Sequence, residues 1–273
     1  MKKKQKIEIY IQYFFLVIIF LGPVAWMILS SLKNNIDITA YPPVWLFKPT
    51  FKNYINLFEV FPFARYILNS FIIATGSTLF GLLLGVPAAY VIARFKLQWI
   101  GFITLLARMA PGVLFIIPWF LLATKFGISS NTVLDYIALI LSHAVITMPL
   151  IIWLMISYFE DVPSEIEEAA YIDGCSRWKM FFKIALPISL PGLAVAIILA
   201  FIFSWNYFLF ALTLANNQTM PLTVIAFNFI GEGSSDWGGL MAASTIISLP
   251  ALILAIFAQK LLVKGLTAGA VKG

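Results

Sequence analysis

The chain has 273 residues, of which 62% are hydrophobic and 11% are charged. Soluble domains are nearer ~45–50% apolar and ~25% charged. A soluble core of this length cannot bury so many apolar side chains, so lipid must act as part of the solvent. The composition predicts an integral membrane protein. The net charge of +6 is typical of basic loops at one membrane face, and we expect no nucleic-acid partner.

The first apolar segment, about residues 9–32, follows a basic N-terminus. It is too long for the apolar part of a signal peptide and lacks a small-residue cleavage site, so we interpret it as a retained transmembrane helix. A membrane span needs roughly 20 mainly apolar residues. Six segments satisfy this and are predicted to form one all-α, polytopic membrane domain over residues 1–273. They are residues 9–32, 66–93, 99–123, 134–157, 188–214 and 241–263.

Basic residues are unevenly distributed between the predicted loops. If the N-terminus lies inside, twelve of the eighteen Lys and Arg residues fall in cytoplasmic segments and five in outer ones. Cytoplasmic loops carry an excess of Lys and Arg, so both termini are predicted in the cytoplasm. The remaining basic residue, Arg108, falls within the third span.

The second span carries small residues at every fourth position. Ser77, Gly81, Gly85 and Ala89 follow this spacing. Small residues four apart let helix backbones approach closely, so this face is predicted to pack against another helix.

Residues 160–187, between the fourth and fifth spans, are predicted to form a cytoplasmic helix–turn–helix segment. Ser164 and Glu167 have the spacing of a capping box at the start of the first helix. Gly174 is predicted to take a left-handed conformation just after that helix, and Ser176 to cap the second helix.

Pro187 is predicted to end the second helix where the chain re-enters lipid. The apolar sides of the two helices, which include Ile166 and Met180, fit either the membrane surface or a groove in a partner protein. The physical pattern leaves both alternatives open.

The helix–turn–helix segment resembles a known motif. Glu168-Ala169-Ala170, three residues, Gly174, nine residues and Ile184-Ala185-Leu186-Pro187 match the pattern EAA-x3-G-x9-I-x-L-P of bacterial ABC importer permeases. Further similarity to the carbohydrate permeases of the maltose-permease type extends over most of the chain. It includes Asn53-Tyr54, Leu57-Phe58, Asn69-Ser70, Trp205-Asn206 and the tail Gln259–Gly273.

The resemblance implies a permease subunit of a binding-protein-dependent sugar importer in a bacterial inner membrane. Its helix–turn–helix segment would be the coupling helix that docks on a cytoplasmic ATPase. The implied partners are a second homologous permease in a heterodimer, two ATPase subunits, an extracytoplasmic solute-binding protein, a sugar and the lipid bilayer. Because the chain has no G-x-x-x-x-G-K-[ST] pattern, ATP and Mg are expected on the ATPase and no cofactor on this chain. The implied coupling residues are Glu168, Ala169, Ala170, Gly174, Ile184, Leu186 and Pro187.

Candidate solute contacts come from the residue types inside the spans, and candidates in the outer loop and the tail come from the resemblance. Polar side chains inside spans tend to face a cavity or a partner helix. Aromatic side chains there either stack on sugar rings or pack. The tail Gln259–Gly273 resembles the segment that reaches between ATPase subunits. The candidates for the translocation path are Arg108, His143, Trp205, Asn206 and Tyr207, with Asn228 as a further possibility; those for the loop that meets the binding protein are Asn216, Asn217 and Gln218.

Other functions are less well supported by the sequence. The same motifs occur in permeases for glycerol-phosphate-type or polyol solutes, so these substrates stay open. An ion-coupled secondary transporter is expected to carry carboxylates within its spans, whereas Asp135 lies at a predicted helix end. One cysteine and one histidine give no metal cluster, and no catalytic set of side chains indicates an enzyme.

Overall fold

A computed structural model of the chain describes residues 3–128, 131–227, 229 and 236–270. Within these ranges the regular structure is helical, with no strand. A 3₁₀ turn at Gly112–Phe115 and a π-helical turn at Phe181–Ala185 interrupt the α-helices. The α-helices are α1 (Lys3–Ser31), α2 (Asn35–Thr39), α3 (Lys52–Val60), α4 (Phe63–Arg94), α5 (Gln98–Met109), α6 (Ile116–Lys125), α7 (Thr132–Glu160), α8 (Ser164–Ile172), α9 (Arg177–Met180), α10 (Leu186–Ile188), α11 (Leu190–Asn206), α12 (Leu209–Leu214), α13 (Leu222–Phe227) and α14 (Trp237–Ala270).

Four helical stretches are long and apolar enough to cross a membrane alone: Glu8–Ser31, α4, α7 and Trp237–Gln259. Two bent pairs are long and apolar enough only when taken together. Helix α5 and Gly112–Lys125 meet at 90°, and Arg177–Ile188 meets α11 at 78°. Counting each bent pair as one span gives six, and the predicted all-α polytopic class is confirmed.

The third span differs from the continuous helix predicted over residues 99–123. Helix α5 ends at Met109, and the chain turns by 90° at Pro111. Proline has no backbone N–H and keeps the residue before it out of the helical region, so the helix stops there. Hydropathy along the sequence does not report such a bend.

The prediction of a continuous fifth span over residues 188–214 is also wrong. The chain bends at Ser189, and Tyr207, in an extended conformation, interrupts the helix after Asn206 before α12 begins at Leu209. Pro187 does not end the preceding helix but lies inside α10. The tight bend follows two residues later.

Two compact units make up the described chain. One comprises Met1–Ala64 with Ile225–Leu249, and the other comprises Arg65–Val224 with Pro250–Gly273. The helix–turn–helix segment and most polar candidates belong to the second unit.

In the first unit, Lys33 is 2% exposed although it is charged. Its Nζ donates a hydrogen bond to Val44 O at 2.7 Å and lies 4.7 Å and 4.9 Å from the ring centroids of Trp26 and Phe47. Asn53 Nδ2 donates to Lys33 O at 2.8 Å. These contacts hold the segment after α1 in place.

In the second unit, α4 packs closely on α7 through its small residues. A Cβ atom at Gly81 would lie 2.9 Å from Ile151 Cδ1, and one at Gly85 would lie 3.3 Å from Ile151 and Ile152. Larger side chains would push the helices apart. The predicted packing role of the small-residue face is therefore confirmed.

Candidate functional site

The turn of the helix–turn–helix segment is a closed Schellman motif. Cys175 N donates to Ala170 O at 2.9 Å and Gly174 N donates to Tyr171 O at 3.0 Å. Gly174 has a φ of +82°, which non-glycine residues adopt at a cost. Ser176 then caps α9, because its Oγ accepts from Lys179 N at 3.4 Å. The sequence predicted both the glycine turn and this cap.

The predicted capping box at Ser164 and Glu167 is wrong. Pro163 occupies the N-cap position of α8, and no side chain caps this helix. The Glu167 carboxylate instead turns toward the end of α4, where its Oε1 accepts from Arg94 Nε at 2.8 Å and its Oε2 accepts from Tyr90 at 3.1 Å. For a mostly buried carboxylate, an ion pair with an arginine is more stabilising than a hydrogen bond to the solvent-exposed start of a helix.

The Arg94–Glu167 ion pair joins α8 to α4. The exposed fractions of the two side chains are 16% and 11%. Arg94 also donates to Val162 O at 3.1 Å, at the start of the segment. Charge-assisted hydrogen bonds that are largely removed from water hold their partners firmly. Displacement of α8 therefore requires α4 to move or the pair to break.

An aromatic cluster attaches the second half of the segment. Tyr90 of α4 and Phe159 of α7 lie 5.4 Å apart between ring centroids, and Phe181 lies 5.1 Å from Tyr90. Phe159 and Phe181 are buried. Aromatic pairs at such distances add to the free energy of burial. The π-helical turn that begins at Phe181 is thereby fixed to two spans.

The segment also exposes large apolar side chains. Ile172 is 85% exposed, Trp178 is 69% exposed and Tyr171 is 67% exposed. A cleft of about 630 Å³ lies between this segment and the end of α4. Apolar side chains grouped around a cleft with polar residues are typical of a protein interaction surface.

Some residues of the EAA motif are exposed and others are buried or half-buried. Glu168 and Ala169 are exposed, whereas Ala170 is buried, so the alanines do not share one outward face. Gly174 and Pro187 are exposed, and Ile184 and Leu186 are half-buried. The exposed surface of the segment therefore centres on Glu168, Ala169 and the apolar side chains after them.

At the middle of the second unit, buried polar side chains link three helices. His143 of α7 and Ser204 of α11 lie 2.9 Å apart between Nδ1 and Oγ, and Ser77 of α4 donates to Ser204 Oγ at 2.8 Å. Thr147 Oγ1 donates to Ser77 O at 3.3 Å. His143 thus contacts a neighbouring helix. Over the described residues, no three His, Cys, Asp or Glu side chains group as a metal site.

The structure places the other path candidates differently. The Arg108 guanidinium lies 5.7 Å from the ring centroids of both Trp153 and Phe203. Trp205 is 4% exposed and belongs to the packed interior. Asn206 Nδ2 donates to Ile202 O within its own helix at 2.9 Å. Of the predicted set, His143 and Tyr207 are brought together, with ring centroids 5.7 Å apart.

The loop at the other end of α4 and α7, residues 215–222, is held by internal hydrogen bonds. Asn216 Oδ1 accepts from Gln218 N at 2.8 Å, and Gln218 Oε1 accepts from Thr132 Oγ1 at 2.7 Å. These amide oxygens, predicted as contacts for a solute or binding protein, shape the loop itself. Asn217 remains exposed.

Two side chains that the sequence analysis did not name as site candidates anchor this loop. Asn69 Nδ2 donates to Gln218 O and to Met220 O, both at 2.8 Å. Asp135, 1% exposed, accepts from Thr219 Oγ1 and from Asn216 N. Asn69 and Asp135 are about 80 residues or more from the loop in sequence, so no local pattern predicts these contacts. The one sequence feature that indicated them was a polar side chain near the start of a span.

Two predicted features lie partly or wholly outside the described residues. Asn228 is not described. Helix α14 continues to Ala270, but the side chains of residues 260–273 are not described, so the predicted role of the tail stays a prediction.

The described chain has apolar spans, two of them bent, and buried polar side chains lie between them. A helix pair at one end is fixed to the spans by an ion pair and an aromatic cluster. These features define a class of multi-pass membrane transport subunits. The family described as binding-protein-dependent transport system inner membrane component matches residues 81–268. The chain belongs to this family and is a permease subunit of an ABC importer.

Relatives and solved structures agree with this assignment. The chain is 35% identical to the trehalose/maltose transport system permease MalG of Thermococcus litoralis, with 94% of each chain covered. It is 34% identical to the sulfoquinovosyl glycerol transport system permease SmoH of Agrobacterium fabrum, over 93% of this chain and 89% of that one. A bacterial ABC transporter that imports the acidic polysaccharide alginate matches with a TM-score of 0.74 and 22% identity, over 95% of this chain and 98% of that one. The last comparison shows the fold.

Proposed function

We propose that this permease subunit takes up an uncharged sugar or oligosaccharide delivered by an extracytoplasmic binding protein. Relatives whose names give their solutes support this substrate class: trehalose and maltose for the Thermococcus litoralis protein and diacetylchitobiose for a Streptomyces coelicolor protein that is 33% identical. Glycerol-phosphate-type and polyol solutes remain the second candidate, because the shared motifs lie on the coupling side rather than on the path.

The coupling role is supported mainly by the helix–turn–helix segment, which is fixed to the spans and also exposes large apolar side chains. Its inner side is fixed to α4 and α7 by the Arg94–Glu167 ion pair and the aromatic cluster around Phe181. Its outer side offers Ile172 and Trp178 to a partner. An ATPase subunit seated on these side chains would move α8 and α4 as one body, so ATP-driven motion would reach the spans.

The remaining partners follow from the same proposal. A second homologous permease would complete a heterodimer, and two ATPase subunits would bind ATP and Mg. Both termini and the helix–turn–helix segment would face the cytoplasm, in agreement with the distribution of Lys and Arg. This chain itself would catalyse no reaction.

Reconstitution tests the proposal. The chain, its second permease, ATPase and binding protein are placed in liposomes with ATP inside, and uptake of labelled trehalose, maltose, diacetylchitobiose and glycerol 3-phosphate is measured. We expect ATP-dependent uptake of at least one of the three sugars. Uptake of glycerol 3-phosphate alone would support the second candidate. Uptake driven by a sodium or proton gradient without ATP would contradict ABC coupling.

A further inference from the structure

Two interruptions of the membrane spans meet at one point in the second unit. The first is the turn at Pro111 and Gly112, and the second is the non-helical segment at Tyr207. A Cβ atom at Gly112 would overlap the hydroxyl group of Tyr207. Glycine at position 112 therefore lets the tyrosine hydroxyl lie directly against the backbone of the other interruption.

Two buried polar atoms at this point have no hydrogen-bond partner among the described residues. They are Tyr207 Oη and His143 Nε2. His143 is 2% exposed, and its ring lies edge-on to that of Tyr207, at 81°. A buried polar group without a partner costs roughly 1–3 kcal/mol. Two such groups, on rings whose centroids lie 5.7 Å apart, mark a place where a further hydrogen-bonding partner would be stabilising.

His143 Nδ1 lies 2.9 Å from Ser204 Oγ, and Nε2 is the ring nitrogen without a partner among the described residues. Depending on the tautomer of the ring, Nε2 donates or accepts a hydrogen bond. The neighbouring Tyr207 hydroxyl both donates and accepts. Together they match a hydroxyl group, which also donates and accepts.

The position of the pair within the membrane fits a solute path. His143 lies eleven residues into the 29-residue helix α7, about 16 Å along its axis and close to its middle. Non-helical backbone at membrane depth is tolerated where it is buried in protein or lines a cavity, and transporters place solute sites between such broken helices. Among the described residues, no charged side chain bonds to either group, which favours an uncharged solute.

We propose that His143 and Tyr207 form a solute-contact pair on the translocation path and bind a hydroxyl group of an uncharged sugar when the two interruptions separate. In the conformation described, Tyr207 closes against Gly112, so the pair is covered. This inference rests on the proposed sugar-uptake function, and it adds the atoms that contact the solute.

Cysteine accessibility tests the path without knowledge of the solute. Tyr207→Cys is made in a Cys175→Ser background, and the assembled transporter in liposomes is treated with a membrane-impermeant methanethiosulfonate, with and without ATP and vanadate. We expect the reaction rate to differ at least tenfold between the two states. The control Phe159→Cys, in the packed core, should stay unreactive in both. An unreactive Tyr207→Cys in both states would overturn the inference.

Uptake of trehalose tests the hydrogen bonds. Tyr207→Phe removes one hydrogen bond to the sugar, so we expect the amount of trehalose imported per ATP to fall about five- to tenfold. His143→Asn keeps a polar atom near the Nδ1 position but none at Nε2, and it should show a similar loss. His143→Gln places an amide group, which both donates and accepts, near the Nε2 position and should restore uptake. Tyr13→Phe, on the exposed side of α1, should have no effect.

The His143–Tyr207 contact pair and the proposed sugar uptake can fail independently of each other. Unchanged uptake per ATP in both Tyr207→Phe and His143→Asn would overturn the contact pair while leaving sugar uptake in place. If the unmodified transporter imports no trehalose, the failure belongs to the choice of sugar, and the cysteine reaction alone decides whether Tyr207 lines the path.

Discussion

Glu167 shows how one residue can link helix α8 to a membrane span. Its carboxylate, 11% exposed, pairs with Arg94 and accepts from Tyr90. Glu167→Gln removes the charge and leaves Arg94 unpaired, and breaking a largely buried pair costs about 3 kcal/mol or more. We expect α8 to loosen, so that uptake per ATP falls at least tenfold while ATP hydrolysis continues.

The matched control for this prediction is Glu165→Gln. Glu165 lies on the same helix, is exposed and makes no ion pair with any residue that the structure describes, so its substitution should leave uptake per ATP unchanged. The measurement is parallel assay of sugar uptake and phosphate release in liposomes. Full coupling in Glu167→Gln would show that the ion pair does not transmit motion.

Gly174 supports a second prediction at this scale, because its constraint is conformational rather than steric. No atom lies within 4 Å of the position where a Cβ would stand, yet φ is +82°. A side chain in the left-handed region costs roughly 1–2 kcal/mol. Gly174→Ala should therefore lower uptake, and the β-branched Gly174→Val should abolish it without changing the amount of protein in the membrane.

Gly22 provides the comparison for Gly174. A Cβ at Gly22 would also meet no atom within 4 Å, but this residue lies inside helix α1 without a positive φ. Gly22→Ala should keep normal uptake, measured beside the Gly174 variants at equal protein amounts on immunoblots. Equal effects at the two positions would mean that backbone strain at the turn has no role in coupling.

At the scale of elements, the outward side of the helix–turn–helix segment is expected to bind the ATPase. Ile172 is 85% exposed, and burying such a side chain is worth about 1.5–3 kcal/mol. Ile172→Asp should therefore weaken the association of permease and ATPase by roughly tenfold or more. Co-purification at increasing ATPase concentration measures this change.

Ile36→Asp is the corresponding control. Ile36 is 81% exposed and lies on the predicted outer side, so an aspartate there should not affect ATPase binding. If both variants bind the ATPase as strongly as the unmodified chain does, the docking surface lies elsewhere.

The sequence predicted elements whose causes are local. The glycine turn at Gly174 and the Ser176 cap each depend on a few neighbouring residues, and the small-residue face of α4 depends on a four-residue spacing. All three are confirmed. The bend at Pro111 was missed because hydropathy is the same in a straight and a bent apolar segment, although the proline itself was a signal.

Contacts between distant segments were harder to predict. Glu167 and Arg94 are 73 residues apart, and the local pattern at Glu167 indicated a helix cap instead. The amides of Asn216 and Gln218 were predicted as ligands because they are polar and lie in a loop. Their internal hydrogen bonds depend on how the loop folds onto α4 and α7, which no local spacing encodes.

At the scale of the whole molecule, orientation depends on charge summed over many loops. Twelve of the eighteen Lys and Arg residues lie in segments predicted to be cytoplasmic. Basic loops resist transfer across the membrane, so the helix–turn–helix segment should face the cytoplasm. Cys175, the only cysteine, lies at its turn and is half-buried. An impermeant maleimide should label it in inside-out vesicles and not in right-side-out vesicles.

A second cysteine position makes this orientation test symmetrical. Leu46 is 95% exposed in the segment after the first span, so Leu46→Cys in a Cys175→Ser background should be labelled only in right-side-out vesicles. A membrane-permeant maleimide should label both proteins in both preparations, which shows that each thiol is reactive. The opposite labelling pattern would place the docking surface outside the cell, where no ATPase could reach it. Because ATP is cytoplasmic, coupling through Glu167 and Ile172 requires the inside location.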